Sequence, residues 1–370
     1  MNSYENHRRD ADSAMFNSNK MKIGLFGTNV SNGGTLSTAE TSFIPTYEHN
    51  LALAKKAESM GLEFMIPFGR WRSFGGETEY NGECLEVYTW ASALAAQTDN
   101  IFLFATSHVP AVHPLLAAKQ AATIDHISKG RFGLNTVCGW FTPEMEMFGI
   151  KQLEHDARYA MADEWISVIK RLWLETDFDH AGEYFRVDNG YLNPKPVQAP
   201  YPVVVNAGAS EAGREFSAKH VDFNFITMDS LETGANLVKD IKARARKYSR
   251  DIGVLGYGFM LCRDTEQEAQ EAFNHILEQT DWKAAENIMH VLGIQSEGFN
   301  DQIREFALSF AAAWGGYRLV GTPEQVVEKL VELERIGIEG MAIVWHDYAK
   351  ELDYFGDKVL PLMKQAGLRD

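Results

Sequence analysis

Short apolar runs alternate with longer amphipathic segments along the chain from residue 21 onward. The run KIGLFGTN at residues 22–29 is apolar enough to form a buried strand. Residues 46–61 then show a helical pattern, in which apolar residues such as Leu53 and Ala57 share one face and a glycine ends the segment. The same succession of strand and helix recurs towards the C-terminus.

Eight segments have the apolar composition of buried strands, and helical segments separate them. The strand candidates are residues 22–29, 62–68, 100–107, 131–138, 202–208, 222–227, 253–262 and 340–346. The helical candidates are residues 46–61, 85–97, 113–128, about 157–174, 211–220, 231–248 and a segment from about 265. Because parallel strands need crossover connections, this order predicts a parallel sheet with helices outside it. Eight such units predict a closed (β/α)8 TIM barrel.

An open, doubly wound sheet is the alternative arrangement for the same order of elements. Its dinucleotide-binding form carries the pattern GxGxxG between the first strand and the helix that follows. Here the chain reads GTNVSNGG after Phe26, and no helical pattern begins there. The sequence therefore favours the closed barrel.

Two stretches interrupt the regular succession. Residues 177–200 are rich in turn formers, and Asn189 with Gly190 predicts the turn of a hairpin. Residues 276–317 are helical in composition, with a break at 293–300. An insertion before the last strand would lie over the C-terminal mouth of a barrel, as a lid or as an oligomerisation element.

Composition and charge narrow the class of protein and its partners. Residues 1–20 are polar and predict a flexible N-terminal extension, which leaves residues 21–370 as a single barrel domain. The 51 acidic residues exceed the 35 Lys and Arg, giving a net charge of −16, which disfavours nucleic acid and anionic membranes as partners. No apolar run reaches the roughly 20 residues that cross a bilayer. Three cysteines without a CxxC pair fit a reducing compartment, so we expect a cytoplasmic protein.

Polar residues at the ends of two predicted strands are candidates for chemistry. Strand 100–107 brings Thr106 to its end, and His108 follows. Strand 131–138 carries Asn135 inside an otherwise apolar run. A buried amide without a hydrogen bond costs about 1–3 kcal/mol, so Asn135 is either bonded to a neighbour or placed for a ligand.

The sequence NAGAS at residues 206–210 offers a second candidate site. Gly208 and Ser210 precede a predicted helix, whose backbone N–H groups and dipole favour a phosphate. An ordinary turn with Ser210 as the helix N-cap fits the same residues, and spacing alone does not separate the two interpretations.

The other reactive side chains give weaker signals. The 11 histidines form no HxH or HExxH pattern, so we expect no metal site. His108, His113 and His346 lie near predicted strand ends and are either acid/base candidates or structural residues. Cys138 has no base beside it in the sequence, so we expect a small core residue rather than a nucleophile.

Several segments resemble the bacterial luciferase-like flavin monooxygenases. They are residues 121–149 (AATIDHISKGRFGLNTVCGWFTPEMEMFG), 153–159 (LEHDARY), 200–225 (PYPVVVNAGASEAGREFSAKHVDFNF), 321–330 and 354–363. The resemblance extends from about residue 21 to the C-terminus and is closest to the pyrimidine, dimethyl sulfone and alkanesulfonate monooxygenases. It implies a TIM barrel that activates O2 on reduced FMN (FMNH2), which a separate NAD(P)H:flavin reductase supplies.

The resemblance also implies which residues hold the cofactor. The set is Gly69, Arg70, Thr106, Asn135, Glu144, Arg158, Tyr159 and Ser210, with Gly208 in the same turn as Ser210. Arg158, Tyr159 and the helix terminus at Ser210 would supply cationic and hydrogen-bonding groups for the phosphate. Family members often form dimers or tetramers, so we expect a homodimer or homotetramer.

Thr106, Asn135 and His108 are the candidate catalytic residues. The first two match an oxygen-holding pair of the pyrimidine enzymes, which implies a flavin N5-peroxide or N5-oxide rather than a C4a-peroxide. Residues 153–159 and 192–202 are closer to the sulfone and sulfonate branch. The position at which oxygen adds to the flavin therefore stays open. The substrate class also stays open among sulfones, sulfonates, pyrimidines and halogenated aromatics, and the bond cleaved would be C–S, C–N or C–halogen.

Two other functions occur among proteins related to this family. Coenzyme F420-dependent oxidoreductases share this barrel and transfer hydride without oxygen, so they are the alternative enzyme class. A non-catalytic flavin-binding protein is a third class. Such proteins lack much of the barrel mouth, whereas this chain keeps residues 276–317.

Overall fold

Eight parallel strands close into a barrel in the computed structural model, which describes residues 13–292, 307–312 and 314–370. The described residues form eleven strands in all, three of which lie outside the closed barrel. They are β1 (Lys22–Phe26), β2 (Phe64–Ile66), β3 (Phe102–His108), β4 (Phe132–Val137), β5 (Phe178–Ala181), β6 (Arg186–Gly190), β7 (Val203–Asn206), β8 (Phe223–Ile226), β9 (Gly253–Cys262), β10 (Tyr317–Gly321) and β11 (Gly340–Val344). The helices are α1 (Tyr47–Ser59), α2 (Val87–Ala95), α3 (Pro114–Ile127), α4 (Thr142–Met147), α5 (His155–Leu174), α6 (Glu211–His220), α7 (Leu231–Lys247), α8 (Glu266–Glu278), α9 (Trp282–Val291), α10 (Pro323–Arg335), α11 (Tyr348–Tyr354) and α12 (Leu360–Gln365).

The barrel runs β1, β2, β3, β4, β7, β8, β9, β11 and back to β1, with every neighbouring pair parallel. Strand β9 is long enough to pair with β8 in its first half, and with β10 in its second half. All eight strand candidates and the TIM-barrel fold are confirmed. Because these strands are parallel, their carboxyl ends and the loops that follow meet at one mouth.

Glycine allows neighbouring strands to pack closely around large rings. In three strand pairs a glycine lies directly opposite a phenylalanine: Gly24 opposite Phe64, Gly133 opposite Phe104, and Gly253 opposite Phe223. A Cβ on any of these glycines would lie 2.2 Å from the facing ring. That separation is far inside van der Waals contact, so only glycine leaves room for the phenylalanine.

The hairpin expected within residues 177–200 is present, but its turn is not at Asn189 and Gly190. Strand β5 pairs antiparallel with β6, and both residues lie within β6. The turn is at residues 182–185, where the Glu164 carboxylate accepts hydrogen bonds from three successive backbone N–H groups at 2.8–3.0 Å. Glu164 lies in α5, so a distant carboxylate fixes the turn that local turn chemistry had placed elsewhere.

Residues 13–20 pack against the N-terminal end of the barrel, which corrects the expected flexible extension for this part. Met15 is fully buried, and the side chains of Asn17 and Asn19 donate to Glu63 Oε1 at 3.3 and 2.5 Å. Residues 1–12 of the expected extension lie outside the described residues.

A buried ion pair joins the C-terminus to the same end of the barrel. Both terminal nitrogens of Arg369 lie 3.2 Å from a carboxylate oxygen of Glu63. Glu63 Oε2 also accepts from the backbone N–H of Ile23 at 2.8 Å, which links the pair to β1. The two side chains are 3% and 0% exposed, so neither charge is hydrated.

The part of the 276–317 insertion that forms α9 packs over the loops at the barrel mouth. Apolar residues of α9 pack against Phe74, Tyr80 and Phe141, which come from the loops after β2 and β4. Asp281, the N-cap of α9, also accepts from the backbone and side chain of Thr78 at 2.8 Å. The expected break at 293–300 lies outside the described residues, and β10, which starts at the end of the insertion, was not predicted.

No helix in the described ranges is both long and apolar enough to span a bilayer.

The Glu63–Arg369 pair predicts an unequal effect of two substitutions. Arg369→Met leaves a buried carboxylate without its cation and should lower the free energy of unfolding by about 3–5 kcal/mol. Lys56→Met removes the pair with Asp353, whose side chains are 32% and 60% exposed, and should cost about 0–1 kcal/mol. Urea denaturation measures both, and equal losses would contradict the prediction.

Candidate functional site

A largely apolar cavity of about 440 Å³ opens at the C-terminal mouth of the barrel. Strand ends and the loops that follow them supply its walls. The lining residues are Phe26, Pro67, Phe68, Gly69, Arg70, Thr106, His108, Asn135, Val137, Trp140, Ala207, Phe225, Thr227, Tyr257, Leu292, Phe310 and Trp314. The cavity therefore brings together Gly69, Arg70, Thr106, His108 and Asn135, five of the residues that the sequence identified.

Thr106 and Asn135 face each other on neighbouring strands β3 and β4. Asn135 Nδ2 donates to Thr106 Oγ1 at 3.0 Å, and Thr106 Oγ1 donates to the carbonyl of Pro67 at 2.5 Å. Among the described residues, Asn135 Oδ1 is buried and has no hydrogen-bond partner. The amide is thus bonded to a neighbour through its nitrogen, and its oxygen is an acceptor without a partner among the described residues.

Arg70 places a positive charge on the cavity wall, and Glu144, which lies behind it, neutralises that charge. Its Nη1 lies 3.2 Å from Glu144 Oε2, and the two side chains are 6% and 1% exposed. The guanidinium carbon lies 4.8 Å from the ring centre of Phe74 and 5.4 Å from that of Trp140. Glu144 also accepts from the backbone N–H of Trp71 at 2.8 Å. Glu144 does not line the cavity, and its ion pair with Arg70 connects it to the cavity wall.

His108 presents a neutral imidazole to the cavity. Burial, together with the nearby charge of Arg70, lowers the pKa of His108 to about 3. Its Nε2 lies 3.8 Å from Glu144 Oε2, beyond hydrogen-bond distance. A Cβ at position 69 would lie 2.6 Å from His108 Cε1, so glycine at this position lets the chain pass the imidazole.

A second polar cluster lies next to this cavity, where β4 and α5 meet. Arg158 Nη1 donates to the carbonyl of Gly139 at 2.7 Å, and its Nε is buried without a partner in the described part of the chain. No carboxylate among the described residues pairs with Arg158, in contrast to Arg70. Burial raises the pKa of the neighbouring Cys138 thiol to about 12, against the opposing effect of Arg158. Cys138 therefore stays a thiol, as expected of a residue that is not a nucleophile.

The helix terminus at Ser210 completes this second cluster. Ser210 Oγ caps α6 by accepting from the backbone N–H of Gly213 at 3.1 Å. A Cβ on Gly208 would lie 2.6 Å from Gly213 Cα, so the turn is closed tightly. Burial raises the pKa of Tyr159 to about 12, and a hydrogen bond with Ser210 opposes that rise. Tyr159, Gly208 and Ser210 thus lie around one helix N-terminus, and Arg158 precedes Tyr159 in α5.

The remaining histidine candidates have structural contacts. His346 Nδ1 lies 3.2 Å from Thr35 Oγ1, and its Nε2 lies 3.2 Å from the carbonyl of Glu40. His113 Nδ1 caps α3 by accepting from the backbone N–H of Leu115 at 3.3 Å. Neither lines the cavity. The described residues contain no group of His, Cys, Asp or Glu suited to a metal ion.

Aromatic residues of the cavity wall were not singled out from the sequence. Trp140 and Trp314 approach with ring centres 5.9 Å apart, and Phe310 packs beside Trp314. The polar wall residues Thr227 and Tyr257 were also missed. Their one signal is position, because Thr227 ends one predicted strand and Trp140 lies two residues after another.

Comparison with known proteins identifies the family. A model for the family described as luciferase-like monooxygenase matches residues 21–340. The chain belongs to the luciferase-like monooxygenase family and is an oxidoreductase of the flavin monooxygenase type. The resemblance and the enzyme class expected from the sequence are thereby confirmed.

The individual relatives cover nearly the whole chain. It is 32% identical over 351 residues to pyrimidine monooxygenase RutA of Acinetobacter baylyi, covering 93% of this chain and 95% of that protein. It is 30% identical over 355 residues to an FMNH2-dependent dimethylsulfone monooxygenase of Pseudomonas putida, covering 94% and 96%. The solved structure of riboflavin lyase RcaE, with modified FMN and riboflavin, has the same fold, with a TM-score of 0.86 at 23% identity over 95% of this chain and 93% of that one.

The buried neutral imidazole of His108 predicts a pH dependence of stability. Its folded pKa, about 3, lies below the ordinary value of 6.5, so the unfolded chain binds a proton first as the pH falls. The contribution of His108 is therefore complete above pH 6.5 and is lost between pH 6.5 and about 3. His108→Gln should remove up to about 1.4 kcal/mol per pH unit from the slope of unfolding free energy in this range. Parallel curves for the variant and the wild type would contradict this.

Proposed function

We propose that this protein is an FMNH2-dependent, two-component monooxygenase that cleaves a C–S, C–N or C–halogen bond in a small organic substrate. One observation carries the proposal: the hydrogen-bonded pair Thr106–Asn135, with a free amide oxygen, lies on the wall of an apolar cavity. The family membership and the FMNH2 dependence in the name of the dimethylsulfone relative support the same cofactor.

The residues present fit a flavin mononucleotide. Its ring system is planar and apolar with polar edges, which suits an aromatic cavity with a free acceptor at Asn135 and the backbone of Gly69 and Arg70 on one wall. Its phosphate is a dianion, which suits both Arg158, an arginine with no carboxylate partner among the described residues, and the N-terminus of α6 at Ser210.

The side chains at the mouth have separate roles in this proposal. When bound, FMNH2 would supply the two electrons that reduce O2, so that one oxygen atom enters the substrate and the other leaves as water. Thr106 and Asn135 hold oxygen at the cavity wall, and neutral His108 lies beside them as a proton acceptor. The aromatic rings exclude water from the reaction. Glu144 acts on the cofactor through Arg70, which it holds by the ion pair.

We propose a separate NAD(P)H:flavin reductase as the source of FMNH2 and a homodimer or homotetramer as the assembly. The FMNH2-dependent relative supports the first of these.

The second polar cluster predicts that one substitution weakens the binding of FMN but not that of riboflavin. Arg158→Met should weaken FMN binding at least tenfold, because the loss of one charge-assisted hydrogen bond costs about 1.5–3 kcal/mol. Riboflavin lacks the phosphate, so its affinity should change little. Arg171→Met, on the same helix but paired with Glu175 at the surface, is the matched control. Fluorescence titration measures both flavins, and an equal loss for the two would contradict the assignment.

The oxygen assay tests the proposed function itself. With FMNH2 supplied by a reductase, the protein should consume O2 and form product with at least one member of a panel of dimethyl sulfone, methanesulfonate, uracil and halogenated aromatics. The double variant Thr106→Ala with Asn135→Ala should lower product formation roughly 100-fold while FMN stays bound. Thr106→Ser keeps the hydroxyl and should retain most of the activity.

Two outcomes would contradict the proposal. Product formation by the double variant at the wild-type rate would refute the oxygen site. Hydride transfer with coenzyme F420 and unchanged turnover without oxygen would assign the chain to the other enzyme class that shares this barrel.

A further inference from the structure

The charge of the cavity wall is balanced by a residue that does not line it. Among the described lining residues, Arg70 is the only one with a permanent charge. Its partner Glu144 lies behind it, 1% exposed, and is held by Arg70 and by the backbone N–H groups of Trp71 and Arg72 at 2.8 and 3.4 Å. The wall therefore presents a cation whose charge is already neutralised.

Arg70 and Arg158 differ in whether a carboxylate neutralises them. Arg70 is paired with a carboxylate at 3.2 Å, whereas Arg158 has a carbonyl at 2.7 Å and no carboxylate among the described residues. An anion gains little from an arginine that is already paired, and it loses its hydration in an apolar cavity. The cavity should therefore favour uncharged ligands, whereas the cluster around Arg158 should favour anions.

The other polar groups of the cavity do not alter this balance. Thr106, Asn135, Thr227 and Tyr257 are uncharged, and the pKa of His108 is lowered to about 3 by burial and by Arg70. The rest of the described wall is apolar or glycine. The positive charge of Arg70 is paired with Glu144 through Nη1, and its buried Nε has no hydrogen-bond partner among the described residues.

We propose that Glu144 is a specificity-determining residue: by neutralising Arg70, it makes the cavity select uncharged substrates over anions of the same shape. Turnover of such substrates rests on the proposed monooxygenase function, whereas their binding does not. Among the substrate classes left open by the sequence, sulfones, neutral pyrimidines and uncharged halogenated aromatics fit, and sulfonates do not.

Matched pairs of probes test the selection by charge alone. Dimethyl sulfone and methanesulfonate form one pair, and uracil and orotate form the other. Ligand-observed NMR titration of the purified protein, with and without oxidised FMN, measures each dissociation constant without turnover. The neutral member of each pair should bind at least about tenfold more tightly, and this ratio needs no variant.

A substitution then tests whether Glu144 is the cause. Glu144→Gln keeps the shape of the side chain but leaves Arg70 unpaired, so the ratio should shift at least about tenfold towards the anions. Glu351→Gln is the matched control, because Glu351 is buried and pairs with Arg263 at 2.8 Å outside the cavity; it should keep the wild-type ratio. Thermal unfolding reports whether each variant is folded, and the wild-type ratio still decides the charge selection if Glu144→Gln is not.

The possible results separate this inference from the proposed function. Anions that bind wild-type protein as tightly as their neutral partners, or a complete lack of binding by the uncharged probes, would overturn the inference. An unchanged ratio in folded Glu144→Gln would overturn the role of Glu144. Charge selection without any oxygen uptake would leave the inference standing and refute only the monooxygenase.

Discussion

The pairing of β3 with β4 fixes the chemistry of the barrel mouth, because it sets Asn135 directly opposite Thr106. The hydrogen bonds from Asn135 to Thr106 and from Thr106 to the carbonyl of Pro67 then join three consecutive strand ends into one wall. A shift of one residue would turn both side chains away from each other. Strand β7 pairs with β4 on the other side, so the turn with Gly208 and Ser210 that follows β7 lies next to the end of β4.

The mouth separates two kinds of binding environment within an acidic protein. Arg158 has no carboxylate partner in the described residues, and together with the helix N-terminus at Ser210 it suits a phosphate dianion. Arg70 lies in the aromatic cavity with Glu144 behind it, which leaves that wall neutral. An arginine thus attracts negative charge at one site and contributes only shape and polarity at the other. The difference depends on whether a carboxylate pairs with the arginine, which only the tertiary structure reveals.

The sequence predicts the barrel well because buried parallel strands appear as continuous apolar runs. It does not predict β10, whose burial alternates and which joins only the second half of β9. The hairpin turn was misplaced because Glu164, distant in sequence, binds the backbone of residues 182–185. Thr106 and Asn135 were accessible from their strand positions. The sequence did not predict the ion pair between Arg70 and Glu144 or the aromatic wall of the cavity. Both depend on contacts between loops, and the composition of these loops resembles that of the core.

The most direct test of the central claim is a crystal structure of the protein with FMN bound. The account predicts the phosphate beside Arg158, Tyr159 and Ser210, and the isoalloxazine ring in the aromatic cavity with an edge next to Thr106 and Asn135. Binding of FMN elsewhere on the barrel, or in this cavity with its phosphate directed towards solvent and away from Arg158, would contradict it.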